Sequence, residues 1–324
     1  MAIGTGIAAQ IGMKAEGTYG TPVTVDRFYE FESEAIDIDI VSVDAPLIGG
    51  GRFLRNDRVK KVLRGARGPV NWGPVMNKNF GLPFQHMLGQ NTVTGASANK
   101  THTCQPDSLA LQGKSLTLQV GRPDVGGTVR PFTFEGGKIL DWELKTELDQ
   151  PLKLMTTMDF ENVLTATALA SASYVAAQEM FIFSEGALTI GGTTTSVKSV
   201  SLKGVNALAA ERRFLGNVKK EPLANAMADI SGNLDCEFED LTAYAAWLAG
   251  TQAQLILTFT LATVIPTTAV PFSLTITIPK IEYSGETPKV GGPDVVMQAR
   301  PFRALYDGTN PIVKMEYVTS DTAA

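Results

Sequence analysis

Residues 52–89 begin with Arg-Phe-Leu and end with the apolar run FGLPFQHMLG, and a second version of this stretch returns at residues 213–250. The second version also begins with Arg-Phe-Leu, and it ends with LTAYAAWLAG. The first and the last residue of the stretch both recur after 161 positions. Two landmarks that keep the same spacing indicate an internal duplication, because self-similarity at a fixed period is the signature of a repeated structural unit.

Further landmarks recur outside this stretch in the same order. Their separations vary, as expected when loops differ in length while the elements between them are kept. The recurring segments are Pro131-Phe132 with Pro271-Phe272, Lys138-Ile139 with Lys280-Ile281, Gln150-Pro151-Leu152 with Asn310-Pro311-Ile312, and Phe31–Ile38 with Phe183–Ile190. We therefore predict two tandem modules, at residues 26–165 and 166–324, preceded by an N-terminal arm at residues 1–25.

The composition is that of a β-rich chain. A length of 324 residues corresponds to about two domains by the usual size of domains. Charged residues make up only 19% of the chain, Val, Ile, Thr and Phe are frequent, and there are 31 Gly and 17 Pro. The net charge of −5 gives no electrostatic reason to expect tight binding of nucleic acid.

Cysteines and apolar runs exclude several other classes. Cys104 and Cys236 can form at most one disulfide, and neither has the spacing of a metal knuckle. No stretch approaches the roughly 20 apolar residues of a membrane-spanning helix. The first Lys is Lys14, so no basic region precedes the first apolar residues, as a secretory signal would require. We expect synthesis in a cytoplasm and no membrane span.

The first periodic segment follows the predicted arm. Residues 1–25 are rich in Gly, Thr and Ala without a sustained period, which is typical of an extended arm. Residues 28–43 then alternate, with isoleucines at positions 36, 38 and 40 and with Asp37 and Asp39 between them. This period of two predicts a half-buried strand whose outer face is acidic.

A basic loop follows this strand. Residues 44–61 contain Gly49-Gly50-Gly51 and then five basic residues, namely Arg52, Arg55, Arg58, Lys60 and Lys61. Two interpretations remain open: a solvated loop, or a segment that docks on an acidic neighbour.

Each module is predicted to contain one short helix among strands. We expect helices at residues 79–89 and 239–249, with Asn79 and Asp240 as N-caps and with Gly89 and Gly250 as C-terminal stops. Residues 90–113 look like a polar loop. Strands are predicted at Leu116–Val120, Thr128–Phe134, Ile139–Thr146 and Leu152–Phe160, with Gly136-Gly137 as a turn, and at Phe181–Ile190, Val197–Val205, Ala226–Phe238, Leu255–Leu261, Ser273–Ile278 and Ile312–Val318.

The search for reactive groups finds no site. The chain has two histidines, and neither His86 nor His102 lies in a recognisable nucleophile context. The glycine pairs do not precede Lys-Ser/Thr at the spacing of a phosphate-binding loop, and they do not form a dinucleotide fingerprint. We predict no catalytic, cofactor or metal site, and we expect His86 to be a core or interface residue.

The N-terminal segment Ile11-Gly-Met-Lys-Ala-Glu-Gly-Thr-Tyr-Gly-Thr-Pro22, followed by a strand, resembles the opening of tail tube proteins of long-tailed (siphovirus-type) phages. Strands with one short helix per module are similar to the tail-tube fold that contractile injection systems share. The resemblance implies a mainly β chain of two β-barrel or sandwich modules that assembles into rings. Stacked rings form the tail tube of the virion, through which DNA is ejected.

The resemblance also implies partners and roles. It carries no catalytic residues; the partners are further copies of the chain, the tape measure protein and the tail terminator, while DNA passes without specific binding. Since such rings are commonly hexamers of single modules, a two-module chain predicts a ring of three copies. We expect Asp37 and Asp39 to face the conduit or the basic loop of a neighbouring ring, and we expect residues 52–61 to form an intermolecular contact. The arm and the tail at residues 319–324 are further candidates for locking rings together.

Alternatives from other classes remain open at this point. A tail terminator or a head decoration protein is the nearest rival. A β-sandwich adhesin would share the composition but should carry an export signal. A carbohydrate-active β-enzyme would need convergent carboxylates and an aromatic platform, and Trp72, Trp142 and Trp247 are scattered along the chain.

Overall fold

The computed structural model describes residues 4–48, 52–95, 98–106, 111–216, 218–285 and 287–323, and the chain is mainly β, as predicted. The two α-helices of the described residues are α1 (Gly81–Leu88) and α2 (Thr242–Ala249). The strands of the described residues are β1 (Gln10–Ala15), β2 (Arg27–Tyr29), β3 (Ser33–Glu34), β4 (Asp37–Asp44), β5 (Val59–Pro74), β6 (Gly89–Thr94), β7 (Lys100–Pro106), β8 (Leu116–Pro123), β9 (Val129–Glu147), β10 (Lys153–Phe160), β11 (Asn162–Leu164), β12 (Gly186–Ile190), β13 (Thr193–Thr194), β14 (Ser199–Val205), β15 (Arg213–Phe214), β16 (Val218–Lys219), β17 (Asp229–Glu237), β18 (Ala253–Val264), β19 (Pro271–Tyr283), β20 (Met297–Ala304) and β21 (Lys314–Thr319).

Six strands of the first half form two connected layers, and we call them the first strand set. One layer has the order β1, β8 and the beginning of β9. The other has the order β4, β5, β10 and the end of β9. All of these pairs are antiparallel, and β9 belongs to both layers because it is 19 residues long.

Six strands of the second half are connected in the same order, and we call them the second strand set. One layer runs from β12 through β18 to β19, and the other from β14 through β17 and β20 to the end of β19. Strand β12 therefore takes the place of β1, and β14 the place of β4. The likeness between Phe31–Ile38 and Phe183–Ile190 does not mark equivalent strands, because β4 pairs with β5 whereas β12 pairs with β18.

The predicted turn at Gly136-Gly137 is wrong, because β9 continues through both glycines. Gly136 has a φ of +66°, a conformation that glycine adopts without strain. A Cβ at Gly136 would lie 2.8 Å from Cβ of Glu161 and 3.0 Å from the ring of Tyr19. The two glycines therefore bend the strand from one layer into the other, where a side chain would not fit.

The predicted N-terminal arm is, from Gln10 onward, part of the folded layer. Ile11 and Met13 of β1 are fully buried, and β1 pairs with both β2 and β8. The carboxylate of Glu16 then accepts hydrogen bonds from the backbone N–H of Gly20 and Gly136 and from the Thr117 hydroxyl. Polar composition concealed this segment, since the groups that fix it are backbone donors far away in sequence.

Both helices end where predicted but begin later. They span residues 81–88 and 242–249, so the 161-residue offset between the two versions of the stretch also relates the helices. Gly89 and Gly250 have φ of +107° and +62° and close the last turns. Asn79 is not an N-cap, because its φ is +73° and its side chain donates to the carbonyl of Phe28. Asp240 is not the N-cap either, because Leu241 takes that position, but the Asp240 carboxylate accepts the N–H of Thr242 and so supports the helix start.

The predicted polar loop at residues 90–113 contains a β-hairpin. Strands β6 and β7 pair with each other, and β7 also pairs with β21 from the end of the chain. His102 and Cys104 point into the core from β7, and the ring of His102 lies 6.2 Å from that of Tyr317. Buried and less buried side chains alternate along KTHTCQP, as they do in a strand. Because most of these residues are polar, the sequence resembled a loop.

The two strand sets join edge to edge at one seam within the chain. Strand β14 pairs along seven positions with the end of β9, from Val205 opposite Asp141 to Ser199 opposite Glu147. Gly204 lies opposite Trp142, and a Cβ at Gly204 would lie 2.3 Å from Cε2 of the Trp142 indole. We call the pairing of β9 with β14 the seam.

Replacing Gly204 with Ala should therefore open or distort the seam. Because the indole is buried and cannot retreat, we expect a loss of about 1–3 kcal/mol in the free energy of unfolding, the usual cost of overpacking a core. Thermal unfolding of the purified chain measures it. Gly17→Ala is the matched control, since a Cβ there meets no atom within 4 Å. Equal melting temperatures for the two variants would contradict this account of the seam.

Candidate assembly surface

One face of the layer that contains the seam is open to solvent. This layer runs through β4, β5, β10, β9, β14, β17, β20 and the end of β19, and its other face packs on the core. We call the solvent-exposed side the open face. On its strands the carboxylates outnumber the basic groups: Asp37, Asp39, Asp141, Glu143, Glu147, Asp229, Asp235, Glu237 and Glu282 against Lys60, Arg67, Lys145, Lys153, Lys203 and Arg303. Arg64, Lys198 and Arg213 also pair with Asp39 or Glu237.

The predicted acidic pair lies on the open face, but its two members have different surroundings. Asp37 is exposed and lies opposite Arg67 in the register of β4 and β5. The Asp39 carboxylate lies 3.8 Å from the guanidinium groups of both Arg64 and Arg213. Arg213 comes from the second version of the Arg-Phe-Leu stretch, so a basic segment does approach Asp39 within this chain.

Strand β4 is less buried than its alternating pattern predicts. Ile36, just before the strand, is buried, but Ile38 is partly exposed and Ile40 is 51% exposed. The strand pairs with β5 on one side only in the described residues. In the described residues, one edge of β4 is therefore unpaired. The apolar side chains of β4 are also exposed, although apolar residues that alternate along a strand normally indicate a buried face.

The basic residues that follow β4 divide into two groups. Lys60 and Lys61 follow Val59 at the start of β5 and lie opposite Val43 and Ser42 of β4. Arg52, Arg55 and Arg58 lie in the connection before β5; Arg55 donates two hydrogen bonds to Asp57, and Arg58 ends a short 3₁₀ turn. Phe53 and Leu54 among them are exposed, Phe53 by 78%. The three glycines at positions 49–51 lie outside the described residues.

The equivalent connection of the second half, residues 206–228, is docked on the first strand set. Lys219 is buried; its Nζ donates to Asp159 Oδ1 over 2.9 Å and to the Phe160 carbonyl over 2.8 Å, and it lies 2.8 Å from Asp159 Oδ2. Burial raises the pKa of the Asp159 carboxyl, and the Lys219 ammonium opposes the shift. A buried ion pair of this kind holds the connection in place.

Two further contacts fix the same connection. Lys138, whose side chain is 0% exposed, donates to Glu221 Oε1 over 2.6 Å. Arg64 donates to Glu211 over 3.0 Å, and Arg213 lies 3.4 Å from the same carboxylate.

We call the place where Lys138 and Asp159 meet the first corner. Sequence reasoning missed it, although a basic residue stands at both Arg58 and Lys219, again 161 positions apart.

The C-terminal residues are docked on the same chain. Thr319 is buried and donates to the carbonyl of Asn77, and Asp321 accepts the N–H of Asn79. The ring of His102 contacts the carbonyl of Asp321 over 2.9 Å. The described part of the predicted tail therefore covers the chain's own core and does not extend from it.

No reactive or metal-binding cluster emerges from the described residues. They contain no group of three or more His, Cys, Asp or Glu side chains that could hold a metal ion. Burial lowers the pKa of His86 to about 3, so this residue is a neutral core histidine, in agreement with the prediction that it lies in the core or an interface. Cys104 and Cys236 are both buried free thiols.

A mainly β chain with an exposed apolar edge strand and a polar open face defines a structural protein built for assembly. Residues 6–304 match the sequence profile of the family described as phage tail tube protein, and the chain belongs to this family. It is a structural component of the virion tail, and the family self-assembles into a tube. No curated protein sequence matches the chain significantly. Among the described residues, no helix is long and apolar enough to cross a membrane.

Replacing Lys219 with Met should detach the connection from the first corner. The buried Asp159 carboxylate would then lack its partner, and removal of one member of a buried pair costs about 3–5 kcal/mol. Because an unpaired buried carboxyl has a folded-state pKa above its unfolded value near 3.9, the variant should regain stability relative to wild type as the pH falls toward about 4. Chemical unfolding at pH 7 and pH 4 measures both effects. The exposed Lys220→Met is the control; a deficit independent of pH would contradict the assignment to Asp159.

Proposed function

We propose that three copies of this chain close a ring, that stacked rings form the tail tube, and that the tube conducts DNA during ejection. The observation that carries this proposal is the seam, where the first strand set joins the second through β9 and β14. If the two sets are duplicated tube modules, the seam is a contact between neighbouring modules that happens to lie within one chain. The same contact, repeated between chains, continues the layer around a ring.

The unpaired edges of the layer support this arrangement. At one end β4 has a free edge; at the other, β20 pairs with β19 only at Phe302, Arg303 and Ala304, leaving its first residues without an outer neighbour among the described strands. Strand β4 occupies in the first set the place of β14 in the second. Joining β4 of one chain to the end of β19 in the next would reproduce the seam, and closure would remove both edges.

The size of the resulting barrel favours three chains. Three chains contribute about 24 strands, and a spacing of ~4.8 Å with a tilt near 40° gives a diameter of roughly 50 Å between opposing backbones. Inward-pointing side chains narrow this to a channel that accommodates a hydrated DNA duplex. Six two-module chains would double the diameter and leave a lumen far wider than its cargo needs.

The open face suits the inner wall of such a barrel. The second layer of each strand set packs on the opposite face and needs the larger outer circumference. An excess of carboxylates on the lumen wall repels the phosphates of DNA. Tight binding of DNA is driven by the release of condensed counterions when basic groups contact phosphates, and an acidic wall does not cause this release, so the DNA can slide. Asp37 then faces the lumen, while Asp39 is shared with the basic residues beside it.

The outer surface should differ between the two halves. The hairpin of β6 and β7 follows α1, whereas α2 is followed directly by β18, so the second half lacks this hairpin. A ring of three chains would show threefold features outside and a nearly sixfold inner wall. By family resemblance we further propose a siphovirus-type tail, assembly in the host cytoplasm, and contacts with a tape measure protein and a tail terminator at the tube ends.

Cryo-electron microscopy of the purified protein tests the ring directly. We expect hollow tubes with three chains per ring, with the seam and the contact between chains related by pseudo-sixfold symmetry. Six chains per ring would overturn the trimer, and isolated rings that never stack would favour a terminator. A soluble monomer at high concentration would contradict self-assembly.

Charge reversal on the open face tests the wall. Asp141 and Asp229 flank Val205 on neighbouring strands and make no side-chain ion pair or hydrogen bond with the described residues, so replacing both with Lys should leave the fold intact. We expect tubes of normal appearance that retain DNA at low salt and release it at high salt.

Gel retardation of short DNA by assembled tubes, at two salt concentrations, measures this binding. Asp26→Lys with Glu30→Lys is the control, because these carboxylates flank β2 in the other layer and produce the same change in net charge. Since Asp26 lies 2.6 Å from Lys14 Nζ, circular dichroism must first show that this variant keeps its fold. Equal DNA retention by both variants would show that the open face does not line the lumen.

A further inference from the structure

The second strand set has a corner like the one that the connection of residues 206–228 covers, and this corner is uncovered. In the first corner, Lys138 of β9 lies opposite Asp159 of β10. In the second set, the N–H of Leu305, just after β20, donates to the carbonyl of Lys280 in β19 over 2.8 Å. Lys280 therefore takes the place of Lys138. We call the place where Lys280 meets residues 305–307 the second corner.

The second corner exposes apolar and acidic groups. Tyr306, which takes the place of Phe160, is 66% exposed, and Met227, two residues before the neighbouring β17, is 95% exposed. The Asp307 carboxylate accepts hydrogen bonds from the Asn310 side-chain amide and from the backbone N–H of Asn310 and Thr309, which lower its pKa to about 2 and keep it charged. The first corner, by contrast, buries its ion pairs under the chain's own connection.

One segment of the chain has matching chemistry and no covering in the described residues. The connection between β4 and β5 is the counterpart of residues 206–228, since β4 and β5 take the places of β14 and β17. It presents Arg58 at the position of Lys219, together with the exposed Phe53 and Leu54. Its basic side chains complement the Asp307 carboxylate, and its apolar side chains complement the exposed Tyr306. Leu305 takes the place of Asp159 in this corner, so Asp307 supplies the negative charge beside Lys280.

We propose that residues 52–58 of one copy dock on the second corner of the neighbouring copy, with Arg58 against the backbone and carboxylate of residues 306–307. The proposal rests on the proposed ring, because the seam between chains brings β4 of one copy beside the second strand set of the next. The contact within the chain is then the template for the contact between chains. A ring of three copies contains six corners, three covered from within and three from the neighbour.

A disulfide between copies tests the contact. The double variant Arg58→Cys with Tyr306→Cys places one thiol on each side of the proposed contact, and both native cysteines are buried. Mild oxidation of assembled tubes should give bands of two and three covalently linked chains on a denaturing gel. Arg58→Cys with Asp124→Cys is the control pair, because Asp124 lies in the turn between β8 and β9, and it should give monomer alone.

A charge variant gives a second measurement that does not depend on oxidation. Asp307→Asn keeps an acceptor for the turn at residues 307–310 but removes the charge, and Arg58→Gln removes the partner. Each should slow tube growth, measured by light scattering, and the double variant should be no slower than the slower single variant, because both remove one contact. Circular dichroism of the unassembled chain checks that the fold is kept.

The outcomes separate this contact from the proposed function. Tubes that form normally but give no linked chains from the double variant Arg58→Cys with Tyr306→Cys would overturn the docking while leaving the tube intact. Linked chains from the control pair as well would show random collision and would also overturn it. Absence of tubes from the wild-type protein would instead refute the proposed ring.

Discussion

Unpaired strand edges govern the whole organisation of this molecule. A strand edge presents a row of backbone donors and acceptors that must be paired, covered or left to water, and a β-rich chain has many of them. At the seam the chain satisfies one pair of edges by joining β9 to β14. The same requirement remains at β4, where only one side is paired in the described residues and isoleucines meet water.

The connections between paired strands act as clamps that depend on the seam. Where β14 lies beside β9, the connection that follows β14 reaches the first corner and buries Lys219 against Asp159. Desolvation of the two charges opposes this pairing. The further hydrogen bond from Lys219 Nζ to the Phe160 carbonyl helps to offset that cost, so the pair can stabilise the contact. Glycines make room for it: a Cβ at Gly65 would lie 3.1 Å from this Nζ. Backbone pairing at the seam places the connection of residues 206–228 beside the first corner, and the buried ion pair then stabilises it there.

The N-terminal motif has a structural role of the same kind. Glu16 sits under the bend of β9 and accepts the N–H of Gly136, and Tyr19 packs beside that glycine. Burial raises the pKa of the neighbouring Glu161, with Glu135 and Glu16 adding to the shift. The segment that resembles other tail tube proteins therefore supports the long strand shared by both layers, and through it the seam.

The sequence by itself determined the β class, the two short helices with their glycine stops, and the 161-residue recurrence, because these follow from local periodicity and backbone preference. It also predicted a contact surface at Asp37, Asp39 and the basic residues from Arg52 to Lys61, and this prediction now forms part of the proposed ring. Only the tertiary structure decided that β9 runs through Gly136-Gly137, that residues 100–104 pair with the C-terminal strand, and that Lys219 is buried while Arg58 is exposed. Those outcomes depend on which distant backbone groups and charges become neighbours, and such long-range pairing leaves no mark in the local pattern of residues.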